Sequence, residues 1–377
     1  MKNYQPDKKH FTLIACALLA LMIFLYNHPQ LSFTRLMFYQ VVPDYTPLFI
    51  EEETPRPVLP MITLGEHGQI IFDASALHDG TSPQNTGLIG IGSLNELITN
   101  LTLHTNASAF SLNFTPTQIA ELRDYRTLLN RHFSMNPNTG IIPNYLSIDD
   151  FLATDIHIEK NPALPQVLIF HTHASSEFFR DSPSTGIDDL QYGIVGVGAT
   201  LAEILRTQYG LNVLHYQGVY DRPHVGAYER IEPSIRAILE EYPSIELVLD
   251  LHRDGIDNID PAMMRTQVNG RDTARIMFVN GLSAMNMNQD DEPRRLENIP
   301  NPYIQENLAL SFHLQTAMNE GFPGMSRNTH LLPFRFINHL RPWSALVEVG
   351  YQNSTMAEAH NAMEPLAYLL YTVVFAQ

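Results

Sequence analysis

From Gln166 to the end of the chain, short β-branched runs alternate with stretches of helical apolar spacing. That alternation is the pattern of a parallel sheet covered by helices. The strand candidates are Val167–Phe170, Leu211–His215, Ile245–His252, Arg275–Asn280 and Ala345–Val349. Between the first and second, Ile194, Val197, Leu201, Ile204 and Leu205 share a helical face, and Gly210 supplies a stop. Between the second and third, Ile231, Ile235, Ile238 and Leu239 form another, with Pro233 in a first turn. A third helix runs from Asn301 and Pro302 to Gly321. A last one starts at Thr355, which forms a capping box with Glu358, and turns Met363, Leu366, Leu370 and Val373 inward. The expectation for 166–377 is an α/β domain, a doubly wound and mostly parallel sheet with helices on both faces.

Upstream the pattern is different. Phe11 to Tyr26 is an apolar run behind Lys2, Lys8, Lys9 and His10, and no small-residue cleavage site follows it at Asn27, His28, Pro29 and Gln30. Residues 1–30 therefore read as a cytoplasmic start and a signal anchor. The positive-inside rule puts the rest of the chain outside the cytoplasm, as a single-pass protein of the cell membrane. Residues 31–60, rich in proline and acids, read as a stalk. Residues 61–165 read as a small mixed α/β region, with apolar runs at Met61 to Leu64, Ile70 to Phe72 and Leu88 to Ile91 and a helix from Pro116 to Arg131. The formal charge of -17 argues against nucleic acid as a partner. The single cysteine, Cys16, excludes a disulfide framework and any multi-cysteine metal site, which leaves sites built from histidine and carboxylates.

Ligands of such sheets gather beyond the carboxyl ends of the strands. The first strand runs into His171, Thr172, His173 and then Glu177; the third ends in His252, Arg253 and Asp254; the fifth leads to Glu348. Two imidazoles and a carboxylate satisfy a catalytic zinc ion with one position left open, and a further carboxylate can carry the proton in amide hydrolysis. A lone histidine after a buried strand is usually a satisfied core residue. Here that bland reading must hold at several strand ends at once. It keeps its weight for His215 and His224, and it stands for His313, His330, His339 and His360. No H-E-x-x-H and no G-x-S-x-G occurs.

The segments VLIFHTHASSEFF at 167–179, GIVGVGATLAEILRTQYGLNV at 193–213, LDLHRD at 249–254, FPGMSR at 322–327 and VEVGYQNSTMAEA at 347–359 resemble the sporulation stage II protein P family of membrane-anchored cell-wall hydrolases. The resemblance implies a zinc-dependent N-acetylmuramoyl-L-alanine amidase acting on peptidoglycan, with added endopeptidase activity on stem peptides. It also implies partnership with a glycan-cleaving sporulation protein and a membrane scaffold. Carried over residue by residue, it puts His173 and His252 on Zn2+ and makes Glu348 the catalytic acid/base. The family's glutamate falls three residues after the second histidine, where this chain has Ser176, with Glu177 one later. Glu177 as third ligand therefore needs a one-residue bulge, and His171, Asp188 or Asp189 are the substitutes.

Arg327 and Arg253 are candidates for holding substrate, and Asp250 and Asp254 for orienting the ligands. Phe178, Phe179 and Tyr351 line either the groove or the core. Two rival readings remain: a degenerate amidase fold kept as a non-catalytic peptidoglycan-binding scaffold, and a metal carboxypeptidase using the same ligands.

Overall fold

The computed structural model describes residues 61–64, 70–73, 109–142, 144–286 and 292–376. The apolar run at 11–26, the stalk and the run at 88–91 lie outside the described residues. Among the described residues no helix is long and apolar enough to cross a membrane.

In chain order the strands are β1 (Met61–Leu64), β2 (Ile70–Asp73), β3 (Phe133–Met135), β4 (Val167–Phe170), β5 (Val213–His215), β6 (Leu247–Asp254), β7 (Arg265–Val268), β8 (Arg271–Ala274), β9 (Ile276–Gly281), β10 (Ala284–Met285), β11 (Arg294–Arg295), β12 (Thr329–Leu332) and β13 (Ser344–Tyr351). The helices are α1 (Pro116–Leu122), α2 (Tyr125–His132), α3 (Ile148–Ala153), α4 (Ile194–Tyr209), α5 (Ala227–Glu241), α6 (Ile304–Gly321), α7 (Met356–Asn361) and α8 (Met363–Leu370).

A seven-stranded sheet has the order β3-β12-β9-β13-β6-β4-β5. Its neighbouring strands are all parallel except β9 and β13. Parallel pairing needs a long crossover, and α4, α5 and α6 supply one after β4, β5 and β9. Between β6 and β9 the chain makes only a short turn and the β7/β8 hairpin, and between β12 and β13 it makes no helix, so it reverses direction at both places. One sheet edge therefore gathers the carboxyl ends of β4, β6 and β13 together with the starts of β9 and β12.

Both faces are covered. On one, Val167, Ile169, Leu249, Leu251, Phe278 and Val347 pack against α4, α6 and α8. On the other, Leu168, Phe170 and Val248 meet Ile231, Ile235, Ile238 and Leu239 of α5. Each such aliphatic side chain contributes roughly 1.5–3 kcal/mol by its burial. Farther along this second face, Met277, Val279 and Leu346 are packed by Tyr228 of the first turn of α5 and by Leu332 and Phe336.

Several expected elements are drawn differently. The helix from Pro116 to Arg131 divides because Asp124 leaves the helix and accepts the Thr127 N–H at 2.9 Å, capping α2. Pro233 lies inside α5 and not in its first turn, because α5 already begins at Ala227. The capping box of Thr355 and Glu358 is formed, but the last helix breaks at Ala362. Residues 109–165 add an edge strand, β3, to the sheet, and Phe151 packs on Phe312 of α6 with ring centroids 5.1 Å apart.

Candidate active site

Side chains alternate across β6, so Asp250, His252 and Asp254 all face the α5 side of the sheet. Glu348 of β13 is the register partner of His252 and stands on the same face. Immediately after Glu348 the strand bulges: Gly350 adopts φ 63°, and a Cβ there would lie 2.5 Å from Ser354 Oγ. The glycine of the Glu-Val-Gly sequence thus permits the bulge beside Glu348, after which Tyr351 pairs again with Asp254.

The same alternation separates the two histidines after β4. His171 continues the inward series Val167, Ile169 on the opposite face, beneath α4. Its Nδ1 is 2.9 Å from the Leu251 carbonyl and its Nε2 is 2.8 Å from His215 Nε2. Since a carbonyl only accepts, Nδ1 of His171 carries the proton, His215 Nε2–H donates to His171, and Gln217 donates to His215 Nδ1 at 3.1 Å. Burial holds His171 down to about 4 and His215 well below the usual histidine value, so both are neutral. Gly198 makes room for the pair, since a Cβ there would lie 2.5 Å from His171 Cε1. His171, the alternative metal ligand, does not share a face with His252.

His173 lies beyond the turn that follows. Its ring centroid is 5.4 Å from that of His252 and 5.6 Å from that of Tyr228. The turn is held by buried Asp221, which accepts the Ser175 N–H at 3.1 Å and the hydroxyls of Ser175 and Ser176 at 2.7 Å each. With Ser176 drawn to Asp221, the extra residue is absorbed and Glu177 turns to the site. Glu177 Oε1 is 2.9 Å from His252 Nδ1, and Oε2 accepts the Arg253 N–H at 2.9 Å. The Arg253 guanidinium, a candidate for substrate, donates to the carbonyls of Ser176, Phe178 and Asp254. It fastens the loop to β6. Phe178, Phe179 and Tyr351 are buried and belong to the core.

Asp250 is fixed by Thr172, whose N–H and Oγ1 donate to it at 2.9 and 2.6 Å. Its Oδ1 is 2.8 Å from His252 Nε2, an ion-pair contact without hydrogen-bond angles. Burial opposes charge on His252, but Asp250 and Glu177 on either side outweigh it and raise its pKa well above the usual value. Burial also raises Glu348, with Glu177 and Asp254 adding to the effect and His252 and Arg327 opposing it, to about 8. Its Oε2 is buried with no hydrogen-bond partner. Arg327 donates from Nη1 to Asp254 Oδ2 at 2.7 Å. Asp188 and Asp189 lie in the 3-10 turn before α4, where Asp189 accepts the Ser184 hydroxyl.

Two site residues give no strand-end signal in the sequence. Tyr228 sits in the first turn of α5, and burial together with nearby Asp250, Glu348 and Glu177 raises its phenol well above the ordinary value. Asp221 lies in a loop after β5, and only the fold brings it to the turn after β4.

His173, Glu177 and His252 are nitrogen and oxygen donors of the kind zinc takes. Among the described residues no group of three such side chains stands in metal-holding geometry. The donor types nevertheless suit the ion: one ring nitrogen of His252 is oriented by Asp250 while the other faces Glu177, and the Glu348 oxygen beside them is orphaned.

The family described as Stage II sporulation protein P (SpoIIP) matches residues 129–371, which takes in every residue of this site. The chain belongs to that family. No curated protein matches it. Among solved structures, the chain is similar to an N-acetylmuramoyl-L-alanine amidase from Clostridium difficile 630, at 13% identity and TM-score 0.34 over 55% of this chain and 96% of that one. It is similar also to the CwlD amidase from Clostridioides difficile, solved in complex with the GerS lipoprotein, at 12% identity and TM-score 0.34 over 55% and 95%. A third is the catalytic domain of CwlV, an N-acetylmuramoyl-L-alanine amidase from Bacillus (Paenibacillus) polymyxa var. colistinus, at 12% identity and TM-score 0.31 over 55% and 96%. The SpoIIP match alone places the chain.

Proposed function

We propose that this SpoIIP-family chain is a peptidoglycan hydrolase that cleaves the amide between the N-acetylmuramoyl lactyl group and L-alanine of the stem peptide, and that stem-peptide cross-links are a second substrate of the same site. The observation that carries the reading is the meeting of His252, Glu177 and Glu348 at one strand edge, with Asp250 steering the His252 ring. His173, Glu177 and His252 would hold zinc, which when bound would polarise the amide carbonyl.

The residues of the chain do the rest. Asp250, held by Thr172, sets a carboxylate 2.8 Å from His252 Nε2. Arg253 and Asp221 fix the loop that carries Glu177. Glu348 takes the proton of the attacking water and returns it to the nitrogen of the leaving L-alanine. Burial raises this carboxyl above the ordinary glutamate value, toward the range in which one group can both accept and donate a proton. Tyr228 covers the His173 and His252 rings on the α5 side.

In this reading residues 11–26 anchor the chain, the hydrolase faces the wall, and a glycan-cleaving protein and a membrane scaffold work beside it in sporulation. Protease added to cells with opened walls should then remove everything after about residue 30 by the positive-inside rule. Protection of the C-terminal region would reverse the orientation. The hydrolase is tested with dye-labelled peptidoglycan: the native chain should release dye, and Glu348→Gln should bind the polymer and release none. Binding without release by the native chain would make it a non-catalytic scaffold.

A further inference from the structure

The start of β9 and the start of β12 bring two guanidinium groups to the edge where β6 and β13 end. Arg275 donates from Nη1 to the Met263 carbonyl at 2.8 Å and from Nη2 to the Ser326 carbonyl at 2.6 Å, which fixes it against the residue preceding Arg327. Arg327 is fixed in turn by its backbone N–H, which donates to Ile276 O at 2.7 Å. Burial lowers Arg275, and the Arg327 charge beside it lowers it further.

One carboxylate, Asp254, serves this pair, and it reaches only Nη1 of Arg327. The remaining N–H groups of Arg327 make no hydrogen bond among the described residues, and Nε of Arg275 is buried without a partner. In a chain of formal charge -17, two guanidiniums sharing one acid are a local positive site. It adjoins Glu348: Met277, two residues after Arg275, is the register partner of Glu348, and the Gly350 N–H donates to the Arg275 carbonyl at 2.9 Å. His330, on the same face of β12, is held by Ser134 at 2.9 Å and lowered by burial, so it adds a neutral polar surface and no competing acid.

We propose that Arg327, backed by Arg275, binds a free carboxylate of the stem peptide beside Glu348. This rests on the amidase reading and adds to it the substrate class: stems with a free acid are preferred over amidated ones. A planar guanidinium with only one of its five N–H groups engaged can meet a carboxylate in paired hydrogen bonds, and the neighbouring Arg275 strengthens the attraction without blocking it.

The test uses the full-length Glu348→Gln chain in detergent with zinc, and calorimetry with N-acetylmuramoyl-L-alanyl-D-glutamate and its diamide. The free acid should bind roughly tenfold or more tightly than the diamide, the usual margin for a charge-assisted hydrogen bond. Adding Arg327→Gln should bring that ratio near one. Because this change strands Asp254, the pair Asp254→Asn with Arg327→Gln repeats the measurement and should give the same flat ratio. Equal binding of acid and diamide by the chain that keeps Arg327, or a ratio that survives its loss, overturns the subsite and leaves the amidase reading intact. Failure of both ligands to bind overturns the amidase reading and the subsite with it.

Discussion

Glu348 and His252 are register partners on adjacent parallel strands, and Glu348 Oε2 is buried with no hydrogen bond. A carboxyl so placed gains nothing for the fold, since its burial raises its pKa. Glu348→Gln should therefore leave the melting temperature unchanged or higher and leave bound zinc unchanged. Hydrolysis should fall roughly 100- to 10,000-fold, the usual loss on removing general acid/base help. A zinc-free Glu348→Gln protein would make this residue a ligand, and a fully active one would remove it from the mechanism.

The two histidines flanking Thr172 should behave oppositely. His173→Ala should reduce bound zinc far below one ion per chain, measured by metal analysis of purified protein. His171→Ala should keep zinc but lower stability by about 1–3 kcal/mol, because it strands the buried His215 and the Leu251 carbonyl. The reverse pattern would exchange their roles.

Asp221 holds the loop through the hydroxyls of Ser175 and Ser176. Asp221→Ala should weaken zinc affinity about 10- to 100-fold, the usual cost of losing an outer support of a ligand. Competition with a chelator of known affinity measures this. Unchanged affinity would show that Arg253 alone fixes Glu177.

Away from the site, Glu232 of α5 contacts Arg236, Arg335 and His339 at 2.7, 3.1 and 3.2 Å. Burial opposes its charge, but these partners prevail and lower it to about 2. A carboxyl lowered on folding stabilises above its unfolded value, and that contribution is lost as pH falls through the folded one. The window is from about 4.5 down to about 2. Stability should fall there by about 2 kcal/mol from this residue, less than the full shift because the group is partly solvated. Denaturant unfolding of Glu232→Gln across that range should show a shallower acid slope.

The parallel strands, α4 and the strand-end chemistry were legible because burial on both faces writes continuous apolar runs, and polar residues must follow them. The antiparallel course of β9 was not, since strand direction depends on whether a crossover helix intervenes and Arg275–Asn280 reads alike either way. β3 and β12 were missed because polar Ser134, Thr329 and His330 break their apolar runs and each gains its place from neighbours. The extra residue before Glu177 was readable, but its resolution depended on Asp221, some 45 positions away. Tyr228 and Arg275 reach the site through tertiary packing and leave no local pattern.

The central claim is that a metal held by His173, Glu177 and His252 serves Glu348 in cutting the lactyl-to-L-alanine amide. Purified peptidoglycan digested by the full-length chain, with zinc and with a chelator, and analysed by mass spectrometry, tests it most directly. The account predicts peptide-free glycan strands and stem peptides with a new N-terminal L-alanine, lost with chelator and restored by zinc. Products consisting only of released terminal amino acids, or digestion that persists undiminished in chelator, would contradict it.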